Sequence, residues 1–409
     1  MLKYKSNLLK IICIFIIAIF LFPTICIASD TIYTWSNSAK PLTETIPTNA
    51  TTSLSLNVGS AVLIEQNSGQ VLYNQNMHEK LRPASVTKVM TILLIMEAID
   101  SGKLSYTDKI PCSEKAAGMG GSQIWLDVRE ELTVDEMLKA ICVVSANDCT
   151  VAMAEYLAGT EEAFVEQMNS KAKALGMNDT TFKNCHGIDE DGHVTSAYDI
   201  ALMSRELLIK HPSIIKYTTI YMDSLRDGKS SLVNTNKLVR NYKGATGLKT
   251  GSTSIALYNL SASATRNDLS LIAVIMKAPT SPIRFAEAQK LLDYGFNNFE
   301  YKKLANKNDL IKEISVDKGI ENSVNAILEN DSGVLIQKGQ NKDIVQSMEL
   351  PDSVSAPVSA GQVLGNVTYS LNGNEIGKVN IVAEKSVGKN TAFNMIEHVF
   401  FNWLSLLRY

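Results

Sequence analysis

Ser85 and Lys88 stand three residues apart in RPASVTKVMTILLIMEAI, residues 82–99. A serine hydroxyl is a poor nucleophile near neutral pH and needs a base within hydrogen-bond reach. Lysine serves as that base only when uncharged, a state reached when burial and a second cation lower its pKa. Val89, Ile92, Leu93, Met96 and Ile99 recur at helical spacing and Gly102 follows the last of them. The spacing predicts a buried helix starting near Ser85, with hydroxyl and amine on one face. The chemistry would be nucleophilic attack through a serine ester. Ser-x-x-Lys alone is a weak signal, because it recurs at Ser170, Ser213, Ser315 and Ser386. A serine at a helix start can also be only a cap, with its lysine snorkelling to water.

Two further stretches supply what the pair lacks. VVSANDC puts Ser145 and Asn147 at an interruption of a helical pattern running from Thr133 to Leu157. GLKTGST puts Lys249, Thr250, Gly251 and Ser252 at the start of a strand, and Lys-Thr-Gly occurs once in the chain. Lys249 would be the second cation that depresses Lys88.

The elements that must position these motifs follow from patterning. SAVLIEQNSGQVLYNQN reads as two strands around Asn67-Ser68-Gly69, and ALYNLSASAT and LSLIAVIMK as two more around Arg266-Asn267-Asp268. FAEAQKLLDYGFNNFE reads as a closing helix. Strands at both ends with helices between predict a mixed α and β domain whose sheet joins distant segments. After about Glu300, SVNAILE, SGVLIQKG, NVTYSLNG and GKVNIVAEKS are short β-rich runs parted by Gly, Asn, Asp and Pro, a small separate β domain. In the tail, Phe393, Ile396, Val399, Phe400, Trp403, Leu404 and Leu407 share one helical face, which would lie in a membrane surface. The expected organisation is a signal peptide over 1–28, a flexible lead-in over 29–57, the mixed α and β domain with the serine site over 58–300, the β domain over 301–389 and the amphipathic helix over 390–409.

The leader follows from Lys3, Lys5 and Lys10 ahead of IICIFIIAIFLF, with small residues suited to cleavage after Ala28. An uncleaved anchor is the rival, and either way the body is exported. With 45% hydrophobic residues and a formal net charge of -3, the 409-residue chain has enough apolar material for a large core and no basic excess for nucleic acid. Beyond the leader, Cys112, Cys142, Cys149 and Cys185 show no Cys-x-x-Cys spacing, so they read as small buried apolar residues rather than a metal or redox centre, with one disulfide in an oxidising compartment as the alternative. His186 and His193, with Asp189 and Asp191 between, lack helical metal-ligand spacing and read as a polar loop shaping a cleft. No phosphate loop or dinucleotide fingerprint is present, so no cofactor or metal is expected.

In order and spacing, PASVTK, GGSQIWL, SAND, NCHGIDEDGHVTSAYDIA, GLKTG and RFAEAQKLLDYGF resemble the D-alanyl-D-alanine carboxypeptidases, the low-molecular-mass penicillin-binding proteins. The resemblance covers nearly the whole chain. It implies an α+β fold: a β-lactamase/transpeptidase-like domain with an antiparallel sheet flanked by helices, then the β domain and the tail. The activity it implies is removal of the terminal D-alanine from peptidoglycan stem pentapeptides through an acyl-enzyme on Ser85, blocked by β-lactams, at the outer face of the cytoplasmic membrane. By the same likeness Ser145 relays a proton to the leaving group, and Asn147 holds the substrate carbonyl or orients Lys88. The backbone N–H groups of Ser85 and Ser252 would meet the oxyanion; Thr250, Lys249 and Arg284 would recognise the terminal carboxylate. The chain departs from the family pattern at Thr246, usually Asp, and at Leu257, usually Gly. The rivals are a serine β-lactamase, disfavoured by the lack of a Glu-x-x-Leu-Asn loop, and a degenerate cell-wall binding protein.

Overall fold

A computed structural model describes residues 54–339, 344–371 and 373–390. The expected signal peptide, almost all of the lead-in and the amphipathic tail lie outside the described residues. Seventeen strands are numbered here in chain order, and helices of ten residues or more are numbered α1 to α6.

The main sheet is antiparallel, and its edges come from opposite ends of the domain. Strands β1 (Ser60–Glu65) and β2 (Val71–Gln75) form the first hairpin; two small hairpins follow, β3 (Lys109–Pro111) with β4 (Glu131–Thr133) and β5 (Met222–Leu225) with β6 (Ser230–Val233). Strands β7 (Ala245–Thr253), β8 (Leu257–Arg266) and β9 (Leu269–Ala278) complete the order β2-β1-β9-β8-β7. Glu65 accepts hydrogen bonds from the Asn67 and Ser68 amides (3.0 and 2.6 Å), which closes the first turn.

Alternate residues of β9 serve two cores. Ile272, Val274 and Met276 face α1 (Lys88–Asp100), α2 (Val134–Val143), α3 (Asn147–Ala158), α4 (Glu161–Ala174) and α5 (Ala197–Lys210), whereas Leu271, Ala273 and Ile275 face α6 (Ser281–Asn298). With both faces covered, the strand needs no polar alternation, which is why LSLIAVIMK is a continuous apolar run.

Three local readings change. The helix expected to start near Ser85 begins at Lys88; Ala84–Thr87 is a 3₁₀ turn leading into it, and neither start carries a side-chain cap, so Ser85 is not a helix cap. A 3₁₀ turn has three residues per turn, which eclipses positions 85 and 88 and serves the pairing better than an α-helical start. Lys249 sits in the middle of β7, which begins four residues earlier and absorbs Gly247 at an irregularity in register. The closing helix ends at Asn298, and Phe299–Glu300 already belong to β10 (Phe299–Ala305).

Among the described residues, the regular elements from β10 onward are all strands. β11 (Leu310–Asp317), β12 (Ser323–Leu328), β14 (Ile344–Glu349), β15 (Ser353–Ser355), β16 (Val363–Leu371) and β17 (Asn374–Ala383) form a sheet in the order β14-β16-β17-β12-β11-β15, while β13 (Ser332–Gln337) pairs with β10. Its core includes Ile314, Val324, Ala326, Val334, Val367 and Ile381, separate from the two cores of the first domain.

Candidate active site

The 3₁₀ turn brings the two expected partners together. Lys88 Nζ lies 3.1 Å from Ser85 Oγ, 2.6 Å from Asn147 Oδ1 and 2.7 Å from the His186 carbonyl oxygen. Lys88 is 0% exposed. Burial pushes its pKa well below the usual lysine value, and the nearby Lys249 charge pushes it further the same way. An uncharged amine has two N–H bonds and one lone pair. Asn147 Oδ1 and the His186 carbonyl can only accept, so they take both N–H bonds and leave the lone pair for the Ser85 hydroxyl.

Asn147 is itself anchored. Its Nδ2 donates to the Gly120 carbonyl (2.7 Å) and its backbone N–H to the Ser122 carbonyl (2.7 Å), so the GGSQIWL loop holds the start of α3. The neighbouring Asp148 accepts from the Ile124 and Leu126 amides (3.0 and 3.1 Å). Ser145 occupies the break between α2 and α3, where the sequence pattern placed it, with φ +66°. Its Oγ is buried without a hydrogen-bond partner. A buried hydroxyl left unpaired in the free protein is an anomaly that substrate can relieve.

On the other wall, β7 runs past the Ser85 turn at Gly251. A β-carbon placed on Gly251 would lie 2.7 Å from the Pro83 carbonyl oxygen, 2.8 Å from Val86 N and 2.9 Å from Ser85 N. This approach sets the Ser252 stretch beside the Ser85 amide. Lys249 is buried and donates to the Thr250 carbonyl (3.0 Å); burial, with a smaller push from Arg284, lowers its pKa to about 7. Thr250 Oγ1 donates to Thr235 Oγ1 (2.7 Å).

Arg284, at the start of α6, is buried rather than a solvated surface arginine. Its Nη1 donates to the carbonyls of Gly251 (3.3 Å) and Asn259 (3.2 Å) and its Nη2 to Ser281 Oγ (3.2 Å), while Nε has no partner. The guanidinium therefore braces the ends of β7 and β8 from below, and its charge sits behind Lys-Thr-Gly instead of presenting an open fork. Burial lowers its pKa to about 10, so it stays charged at neutral pH.

The two departures from the family pattern are accommodated locally. Leu257 adopts φ +55°, a region that favours glycine. Thr246 Oγ1 donates to Ser263 Oγ (2.7 Å) in place of a carboxylate. Neither replaces a group around Lys88.

The residue pattern marks the loop of His186 and His193 as a cleft wall but does not spell out what its backbone does. The His186 carbonyl is one of the acceptors on Lys88. Gly187 has φ +90°, and a β-carbon there would sit 2.0 Å from the Ala84 carbonyl oxygen. The His-Gly pair in a polar loop was the readable signal: a glycine where backbone must approach backbone.

The chain as a whole has known relatives. The family model described as D-alanyl-D-alanine carboxypeptidase matches residues 47–280, and that of the penicillin-binding protein 5 C-terminal domain matches residues 299–389. The D-alanyl-D-alanine carboxypeptidase DacF of Bacillus subtilis (strain 168) is 43% identical over 357 residues, covering 86% of this chain and 92% of the relative. Penicillin-binding protein 5 from Haemophilus influenzae superposes with a TM-score of 0.71 at 34% identity, over 83% of this chain and 99% of that one. Penicillin-binding protein D2 from Listeria monocytogenes, solved in its ampicillin-bound form, gives a TM-score of 0.55 at 30% identity over 60% of this chain and all of its own. With its paired lysines set about Ser85 and relatives of this kind along most of its length, the chain belongs to the D-alanyl-D-alanine carboxypeptidase family.

Proposed function

We infer that this chain is a serine-type D-Ala-D-Ala carboxypeptidase that removes the terminal D-alanine from peptidoglycan stem pentapeptides through an ester on Ser85. One observation carries the reading: a fully buried Lys88 whose N–H bonds are occupied by Asn147 and the His186 carbonyl, and whose third position faces Ser85 Oγ.

The steps follow from that geometry. Ser85 gives its proton to Lys88 as Oγ attacks the carbonyl carbon of the D-Ala-D-Ala peptide bond. The oxyanion forms between the Ser85 and Ser252 N–H groups, at the point where Gly251 lets strand and turn approach. The proton on Lys88 then passes through Ser145 Oγ, which has no competing partner, to the departing amine of D-alanine. Water attacks the ester by the reverse route and restores Ser85. Lys249, with Arg284 behind it, supplies the positive field for the substrate's terminal carboxylate, and Thr250 lines the same edge. β-Lactams would acylate Ser85 in the same way. The leader places the work outside the cytoplasm, and the C-terminal amphipathic stretch would keep the enzyme on the membrane surface beside its substrate.

Incubation with labelled penicillin tests the reading: one covalent adduct is expected, on the peptide containing Ser85, together with D-alanine release from a pentapeptide. Absence of an adduct would remove the enzyme and leave a cell-wall binding protein. An adduct that clears within seconds, with no D-alanine released, would make the protein a β-lactamase.

The same site predicts a pH profile. Lys88 works only when neutral, and Lys249 only when charged. The Lys249 ammonium is held to about 7 in the free protein. The acylation constant kcat/KM should therefore fall as pH rises above about 7, because this parameter reports groups of the free enzyme. Bound carboxylate favours the charged form of Lys249, so kcat should fall only at higher pH. Lys249→Arg keeps its charge and should remove the alkaline fall. A wild-type profile flat from pH 7 to 9 would contradict the assignment.

A further inference from the structure

His193 is buried and takes no part in the steps above, yet it ends a directed chain of hydrogen bonds reaching the residue before Ser85. The Lys183 N–H donates to His193 Nδ1 (3.1 Å), His193 Nε2 lies 2.8 Å from Thr87 Oγ1, and Thr87 Oγ1 lies 2.8 Å from the Ala84 carbonyl oxygen. A carbonyl only accepts, so the single Thr87 proton is committed to Ala84. Thr87 must then accept from the ring, which requires the proton on Nε2. The Lys183 amide independently requires Nδ1 to be bare. Both ends demand the same neutral tautomer. Burial, with the charges of His186, Arg82 and Lys183 around it, lowers the His193 pKa to about 4, in agreement with that form.

Ala84 is the place where such a chain has something to hold. It adopts φ +49°, a left-handed conformation uncommon for a residue with a side chain. Its carbonyl is enclosed between Thr87 and Gly187. In a planar trans peptide the Ala84 C=O and the Ser85 N–H point in opposite directions, so clamping one aims the other. The loop carrying His193 is tied to the same segment by paired backbone bonds between Leu81 and Thr195 (2.8 and 2.9 Å).

We propose that His193 is a positioning residue which, through Thr87, fixes the Ala84–Ser85 peptide and so aims the Ser85 N–H at the developing oxyanion. The inference rests on the acyl-enzyme reading. It predicts losses in the acylation step without matching losses in prior binding.

The test is stopped-flow acylation by a chromogenic penicillin or cephalosporin, separating the rate constant from the dissociation constant of the preceding complex. Thr87→Val, nearly isosteric, and His193→Ala should each slow acylation about 10- to 100-fold, short of the full loss on deleting an oxyanion donor. The dissociation constant should stay within about threefold, and the double variant should be no slower than the slower single variant, as expected for two links of one chain. Thr87→Ser and His193→Gln, which keep a hydroxyl and an N–H, should recover most of the rate. If His193→Ala does not fold, the Thr87 pair decides alone. A folded Thr87→Val that acylates at the wild-type rate, or losses that multiply in the double variant, would overturn the proposal. Wild-type protein that takes no label would instead overturn the hydrolase reading and this inference with it.

Discussion

Ser85→Ala and Lys88→Met are each expected to slow acylation by about 10⁴-fold or more, and the double variant to lose little beyond either single change, as nucleophile and base acting as one unit do. The reason is local. Without Lys88 the Ser85 hydroxyl has no acceptor for its proton, and without Ser85 the lone pair of Lys88 has nothing to activate. Each deletion thus removes the same transition state, worth about 5.5 kcal/mol at that ratio. Stability should separate the two variants. Ser85→Ala removes one half-buried hydroxyl and should unfold near the wild-type temperature. Lys88→Met leaves Asn147 Oδ1 and the His186 carbonyl without their donor, at about 1–3 kcal/mol for each buried group left unpaired. Relief from burying an amine offsets part of that cost. Lys88→Arg would complete the series: guanidinium cannot lose its proton in this range, so it should be as inactive as the methionine variant. Acylation rates multiplying in the double variant would show that another residue serves as base.

The chemistry was legible because it is carried by side chains in compact motifs. Ser85, Asn147 and Lys249 come from separate elements, and the structure sets all three about the Lys88 amine, while Ser145 stands at the break just before α3. The fold class was legible for a related reason: the β1–β2 and β8–β9 hairpins carry their turn signals locally, and the run of β9 marks a strand covered on both faces. What patterning could not show is work done by the main chain. The His186 carbonyl on Lys88, the Gly120 and Ser122 carbonyls on Asn147 and the left-handed Ala84 leave no trace in residue type, because any residue supplies a carbonyl. The start of α1 was misplaced because the 3₁₀ turn and the helix share one apolar pattern, and hydrophobic spacing does not distinguish three residues per turn from 3.6 over four residues. Arg284 was legible as a cation near the site but not as a buried brace, since its role depends on which carbonyls lie below Lys-Thr-Gly.

Gly251→Ala is expected to slow acylation by about 10²- to 10³-fold, the cost of losing one well-placed oxyanion donor, while leaving the protein folded. The argument does not invoke backbone freedom, because Gly251 is not in the left-handed region. It is steric. The added β-carbon would meet three backbone atoms of the Ser85 turn at 2.7 to 2.9 Å, and backbone has no rotamer into which to retreat. Either β7 moves away from the turn or the turn moves away from β7, and both motions part the Ser85 and Ser252 N–H groups that must point at one oxygen. Strand β7 stays paired with β8 along Lys249, Thr250 and Ser252, so the sheet survives and the melting temperature should fall by only a few degrees. Gly120→Ala is the matched control: a β-carbon there meets nothing within 4 Å, and Gly120 is not in the left-handed region, so acylation should be unchanged. Substrate and penicillin should suffer alike in the Gly251 variant, since both form an oxyanion at that position. A folded Gly251→Ala protein with wild-type acylation would mean that the oxyanion is met somewhere other than between strand and turn.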